Sequence, residues 1–188
     1  MDQGPFTQLP PNLPAPTDDG ACRHLPGLAL PEVPLMSTSG ELVLLRDRPG
    51  LTVVYAYPMT GRPGEPLPRG WDDIPGARGC TPQSCAFRDH HEELRGLGAG
   101  LFGLSTQPTD DQQEARTRLH LPFDLLSDAA FAFTDALALP TFTVEGRRLL
   151  RRLTLVCRRG VIEHVFYPVF PPDTHAEEVV AWLKTRLD

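Results

Sequence analysis

From residue 41 onward the apolar positions come in short blocks, and the spacing inside each block separates strands from helices. Residues 41–45 and 51–57 flank Arg48-Pro49-Gly50 and read as two strands joined by a turn. The second, Leu51-Thr52-Val53-Val54-Tyr55-Ala56-Tyr57, is nearly all apolar, which suits a central strand covered on both faces. Phe87, His91, Leu94 and Leu97 fall near one helical face, so 81–97 reads as one helix ended by Gly96, Gly98 and Gly100. A short buried strand follows over 101–105. Thr109 is placed to cap a helix over 110–119, where Asp110 and Asp111 suit the positive end of the helix dipole. A strand over 123–126 and a helix from Ser127 to 136 continue the alternation. Strand and helix alternating with short links predict βαβ units and a parallel sheet.

After Pro140 the pattern changes. Residues 152–157 and 161–166 flank Arg158-Arg159-Gly160 and read as a hairpin. The last helix begins at Thr174-His175-Ala176-Glu177, a capping-box pattern, and Ala176, Val179, Val180, Leu183 and Leu187 form its apolar stripe.

Two segments carry no period. Residues 1–27 hold Pro5, Pro10, Pro11, Pro14, Pro16 and Pro26 and read as an extended arm, lying on the domain or partly disordered, in front of a domain over 28–188. Cys22 in this arm reads first as an incidental free thiol. Residues 59–79 hold Pro63, Pro66, Pro68 and Pro75 among Gly61, Gly64, Gly70, Gly76 and Gly79. A structureless loop of that length is either functional or a tolerated insertion, and Trp71 is the residue that would anchor it.

A chain of 188 residues suits one domain, and 40% apolar with 22% charged residues is ordinary for a globular protein. The net charge of −6 argues against nucleic acid as a main partner, since phosphate binding wants a basic face. No apolar run approaches the ~20 residues a membrane span needs. No basic stretch followed by an apolar core opens the chain, so the expectation is a cytoplasmic protein without a secretory signal. Four cysteines in so long a chain make no disulfide scaffold; in a reducing compartment, closely spaced ones are more often catalytic or metal-binding.

The closely spaced pair is Cys80 and Cys85, where the 59–79 loop enters a helix. The first N–H groups of a helix lack intrahelical partners and carry partial positive charge, which favours the thiolate, the nucleophilic form of cysteine. Pro82 suits the first turn, where its missing N–H is not needed. On one helix, five residues at ~100° each set the two side chains about 140° apart, with Cα atoms more than ~7 Å apart. An intact helix therefore cannot hold a Cys80–Cys85 disulfide: either its first turns unwind, or Cys85 is a buried core thiol. Cys157 reads as core. A metal site from Cys80, Cys85, His90 and His91 is a poor match to zinc-ligand spacing, and adjacent histidines point to different helix faces. A thioredoxin-type thiol–disulfide oxidoreductase is the remaining alternative, though it favours Cys-x-x-Cys spacing.

The segment Gly79-Cys80-Thr81-x-x-x-Cys85-x-Phe87-Arg88-Asp89 resembles the active-site segment of peroxiredoxins, and is most similar to the peroxiredoxin Q, or bacterioferritin comigratory protein, group. The resemblance runs from about Leu28 to the C-terminus. It implies an α/β, thioredoxin-like fold with a central mixed β-sheet flanked by helices, and the order of predicted elements agrees. It also implies that Cys80 attacks a hydroperoxide, that Cys85 resolves the product as an intramolecular disulfide, that a thioredoxin-like protein is the reductant, and that no bound cofactor is needed. Such a disulfide needs no second subunit, so a monomer is expected. The group's arginine, followed by an apolar residue and Ser or Thr, is matched by Arg152-Leu153-Thr154, with Arg151 the alternative one register away. Strand alternation puts the two arginines on opposite faces, so only one can serve. The group's Pro-x-x-x-Thr-x-x-Cys is not kept: Asp73 and Ala77 stand at its Pro and Thr positions, and Tyr57-Pro58 lies before the long loop. Thr60 is the candidate for the missing hydroxyl.

Overall fold

The computed structural model describes residues 6–187; Pro5 with the rest of the first five residues, and the side chain of Leu187, lie outside the described residues. The strands are β1 (Pro34–Ser37), β2 (Leu42–Leu44), β3 (Leu51–Ala56), β4 (Ala99–Ser105), β5 (Leu125–Ser127), β6 (Thr141–Val144), β7 (Arg147–Leu150), β8 (Leu153–Arg158) and β9 (Val161–Phe166). The helices are α1 (Cys80–Asp89), α2 (His91–Gly96), α3 (Thr109–Leu119), α4 (Ala132–Ala136) and α5 (His175–Leu187).

Every residue of β3 is buried, because the sheet is covered on both faces. Leu51, Val53 and Tyr55 enter one core with Phe87, Leu119 and Val179, while Val54 and Ala56 enter the other with Leu104, Phe133 and Leu153. This is the two-residue alternation of a strand with two apolar faces. β3 pairs in parallel with β4, and β4 in parallel with β5. β8 pairs antiparallel with β3, and β1 antiparallel with β5, so the seven-stranded sheet, ordered β2-β1-β5-β4-β3-β8-β9, is mixed. Helices α1, α2, α3 and α5 all contribute to the first core; α4 contributes to the second. This is the mixed α/β architecture expected.

The proline-rich arm lies on this domain. Cys22 and Leu25 are buried in the second core. The Gly27 N–H donates to the Ile162 carbonyl and the Leu30 N–H to the Gly160 carbonyl, each at 2.7 Å, so the chain covers the β9 edge that would otherwise stand open. Segment 59–79 is fastened too: Trp71 and Ala77 are buried against Val144 and Leu149 of the β6–β7 hairpin, and the Trp71 ring lies 6.0 Å from that of Phe142. That hairpin and β1 had no clear pattern in the sequence.

Several boundaries differ from expectation for local reasons. The helix over 81–97 is two helices broken at His90, whose φ of −99° and ψ of 6° leave the helical region. The Ala86 carbonyl accepts the His90 backbone N–H at 3.1 Å and lies 3.0 Å from its ring Nδ1, a local side-chain bond of the kind that ends helices. Ser127 belongs to β5 rather than opening a helix. The Asp128 carboxylate instead accepts the Phe133 and Thr134 N–H groups (3.1 and 2.7 Å) and the Thr134 hydroxyl (2.6 Å), so the helix waits until Ala132. Thr109 is the first helical residue rather than the cap, and the Pro108 carbonyl accepts the Gln112 N–H. The first strand of the predicted pair shortens to β2, since Leu45 opens a single 3-10 turn.

Candidate active site

Cys80 is the first residue of α1, only 4% exposed, at the end of the 59–79 segment. The residue before it, Gly79, has φ 110° and ψ 19°, a left-handed conformation that glycine adopts at no steric cost. There is no room for a side chain either: a Cβ at Gly79 would come within 2.4 Å of Pro172 Cγ and 2.8 Å of Leu9 Cδ2. Gly79 thus brings the backbone into the helix without a capping side chain, and Pro82 has no N–H to offer. The N–H groups of Cys80 and Thr81 are therefore left for whatever occupies the site.

Arg152, 3% exposed and immediately before β8, reaches the same point. Its Nη2 donates to the Cys80 sulfur at 3.2 Å, and the sulfur lies 3.7 Å from the Ala77 carbonyl. The guanidinium is fixed by the close of the 59–79 segment: Nε donates to the Gly76 carbonyl (3.2 Å) and Nη2 to the carbonyls of Ala77 (3.1 Å) and Arg78 (3.4 Å). Nη1 donates to Gln83 Oε1, one turn along α1 from Cys80. A planar fork held at several points keeps Nη2, shared between the sulfur and the carbonyls, against Cys80, which a flexible ammonium would not do. The structure thus brings Arg152, and not Arg151, to Cys80. Arg151 lies over the Phe142 ring, its guanidinium carbon 5.8 Å from the centroid.

Thr60 is buried, but its hydroxyl hydrogen is committed elsewhere. The Thr60 N–H and hydroxyl donate to Gln107 Oε1 at 2.9 and 3.3 Å, and Gln107 Nε2 donates back to the Thr60 carbonyl at 3.3 Å. The expectation that it turns a hydroxyl on Cys80 is not met in this arrangement; the residue fixes the start of the long segment instead.

Cys85 is half-buried on α1, packed against the core that holds Cys80, and both thiols are free. Burial pushes its thiol above the ordinary value, with Arg88 opposing. Cys22 and Cys157 are deeper; burial pushes both thiols up to about 12, so they stay protonated at neutral pH and are poor nucleophiles. His90 and His91 do not join the cysteines: the His90 ring turns back to Ala86, and the His91 ring packs 5.7 Å from that of Phe123. Among the described residues, no three His, Cys, Asp or Glu side chains gather as a metal site.

Gln83 and the carbonyls of Gly76, Ala77 and Arg78 went unread in the sequence. Gln83 carried a usable signal, since residues three apart share a helix face and it stands three after Cys80. The carbonyls carried none, because any residue supplies one.

Residues 25–181 match the Redoxin family model. Peroxiredoxin Q, chloroplastic, of Oryza sativa subsp. japonica is 30% identical over 162 residues, covering 85% of this chain; the chain spans 66% of that relative's length. Among solved structures, peroxidoxin BcpB of Mycobacterium tuberculosis superposes with a TM-score of 0.69 over 86% of this chain and 98% of its own, at 24% identity. PrxQ of Xylella fastidiosa does so with a TM-score of 0.71 over 88% and 99%, at 21% identity. With a thioredoxin-like sheet, a cysteine opening the helix that follows its central strand, and a family model matched over most of its length, the chain belongs to the redoxin family and is similar to peroxiredoxin Q proteins.

Proposed function

We propose that this chain reduces hydroperoxides at Cys80, and that Cys85 and a thioredoxin-type dithiol complete the cycle. The observation that carries the reading is the 3.2 Å approach of a fixed, buried guanidinium to the sulfur that opens α1. The Cys80 thiolate attacks the terminal oxygen of ROOH. The O–O bond breaks and the RO⁻ that leaves takes a proton, giving ROH and a Cys80 sulfenic acid. Arg152 faces the sulfur, and the first N–H groups of α1 open the same site, so together they stabilise charge first on the thiolate and then on the leaving oxygen.

In the second step the Cys85 thiol condenses with the sulfenic acid, forming a Cys80–Cys85 disulfide and releasing water. Both residues lie on one continuous helix, so the early turns of α1 must open first. The third step is exchange with an external dithiol, which leaves oxidised as the Cys80 and Cys85 thiols return. A monomer suffices for this chemistry, because both cysteines belong to one chain. A reducing compartment such as the cytoplasm fits a protein whose four cysteines are free. Consumption of hydrogen peroxide by the protein with thioredoxin and its reductase, monitored through NADPH oxidation, tests the reading; Cys80→Ser should abolish the turnover.

A further inference from the structure

The way to Cys80 is closed by the N-terminal arm. The opening above the sulfur has a free volume of about 10 Å³, lined by Phe6 together with Met59, Leu67 and Trp71. That is room for about one water molecule, less than a hydroperoxide needs. Phe6 supplies the outer wall. A Cβ at Gly61 would meet its ring atoms at 3.1 Å, and the Arg78 guanidinium carbon lies over the ring, 5.6 Å from the centroid. Leu9 sits beside it on the backbone of Gly79, against Pro172. The arm thus covers both the entrance and the start of the helix that carries the chemistry.

The two parts of the arm are held very differently. Cys22 and Leu25 are in the core, with Leu25 fully buried. Phe6 is only half-buried and rests on surface contacts. Local opening draws on the weakly held parts of a fold, so the half-buried Phe6 ring can swing out of the opening while 22–30 stays in place.

We propose that Phe6 is the access and size-selecting residue of the Cys80 site, a gate that lifts to admit substrate and that favours hydrogen peroxide over bulky organic hydroperoxides. The inference rests on Cys80 being the reactive thiol of a peroxidase. A small peroxide enters during a partial displacement, whereas a bulky one needs the ring gone from the opening. Trimming the ring to a methyl removes the outer wall of the opening and its contacts with Gly61 and Arg78.

The test compares the wild-type chain with Phe6→Ala and Phe6→Leu, using two readouts. The first is the rate at which N-ethylmaleimide labels Cys80, located by peptide mass spectrometry, with Cys22 in the same sample as internal control. The second is the second-order rate of oxidation by hydrogen peroxide and by cumene hydroperoxide. In Phe6→Ala, Cys80 labelling and the cumene hydroperoxide rate should each rise by about tenfold, as expected for loss of one half-buried aromatic contact from an opening equilibrium. The hydrogen peroxide rate should rise much less, Cys22 labelling should not change, and Phe6→Leu should stay near wild type. Unchanged Cys80 labelling in Phe6→Ala overturns the gate, and so does an equal rise at Cys22, which would mean general loosening. If labelling rises at Cys80 alone while no form reacts with either peroxide, the gate stands and the peroxidase reading fails.

Discussion

Arg152 Nη2 lies 3.2 Å from the Cys80 sulfur, across 72 residues of sequence, with its guanidinium held by three successive carbonyls of the segment that delivers the cysteine. One short stretch therefore sets both the sulfur and the charge that faces it. Arg152→Ala should slow oxidation by hydrogen peroxide on the order of a hundredfold, the usual cost of losing one fixed donor to developing charge. Arg152→Lys should recover only part, since an ammonium cannot span Gln83 and the carbonyls together. Arg151→Ala should change the rate little. Stopped-flow fluorescence of peroxide oxidation ranks the three variants, and an equal loss in Arg151→Ala would contradict the assignment.

Gly79→Ala should be destabilising by about 2 kcal/mol or more, lowering Tm by roughly 5 °C, because a left-handed backbone and a blocked Cβ position act together. The added methyl meets Pro172 and Leu9, so limited proteolysis should also show the arm near Leu9 cut faster. Thermal unfolding and a timed digest together check this; an unchanged Tm would mean the contacts at Gly79 are slack.

His175 links α5 to the sheet under the active-site helix. Its Nε2 lies 2.8 Å from Thr154 Oγ1, its Nδ1 2.9 Å from Glu178 Oε2, and its ring packs edge-on against Phe87. Burial holds its pKa below the ordinary 6.5, with Glu178 opposing and Arg152 adding to the lowering. Just below pH 6.5 the unfolded chain takes up a proton that the folded chain refuses, so stability falls as pH drops through that window. Loss of the Glu178 carboxylate, whose own pKa is lowered from 4.5 first by its bond to His175, comes at lower pH. Tm measured from pH 7.5 to 5 should decline in wild type and decline less steeply in His175→Gln. Parallel slopes would show that His175 titrates alike in both states.

What could be read from the sequence was what the chain settles within a few residues. The apolar run of β3, the β8–β9 hairpin about Arg159-Gly160, and a cysteine opening a helix before Pro82 are local signals, and they carried the fold class and the candidate cysteine. Strand alternation reduced Arg151 and Arg152 to a choice of one, but the choice is made by Gly76, Ala77 and Arg78, whose carbonyls meet the guanidinium only in three dimensions. The late start of α4 was hidden for a similar reason: the Asp128 carboxylate bonds forward five and six residues, beyond the usual capping offset. Phe6 was invisible because an arm without period gives no hint of what it covers.

Cys85→Ser should separate the two half-reactions. The variant should react with peroxide once, at close to the wild-type rate, and then stall, since no thiolate-forming partner remains within reach: Cys22 and Cys157 are buried thiols. A coupled assay with thioredoxin should show turnover falling to a small residue of the wild-type value, and full turnover would place the resolving thiol elsewhere.

The most direct measurement is the intact mass of the reduced protein after one equivalent of hydrogen peroxide, followed by a non-reducing digest. The wild type should lose two hydrogens, with the Cys80 and Cys85 peptides linked, while Cys85→Ser should gain oxygen on Cys80 and Cys80→Ser should stay unchanged. A wild-type chain that keeps its reduced mass while peroxide remains, or one that links Cys80 to Cys22, Cys157 or a second chain, would contradict the proposed cycle.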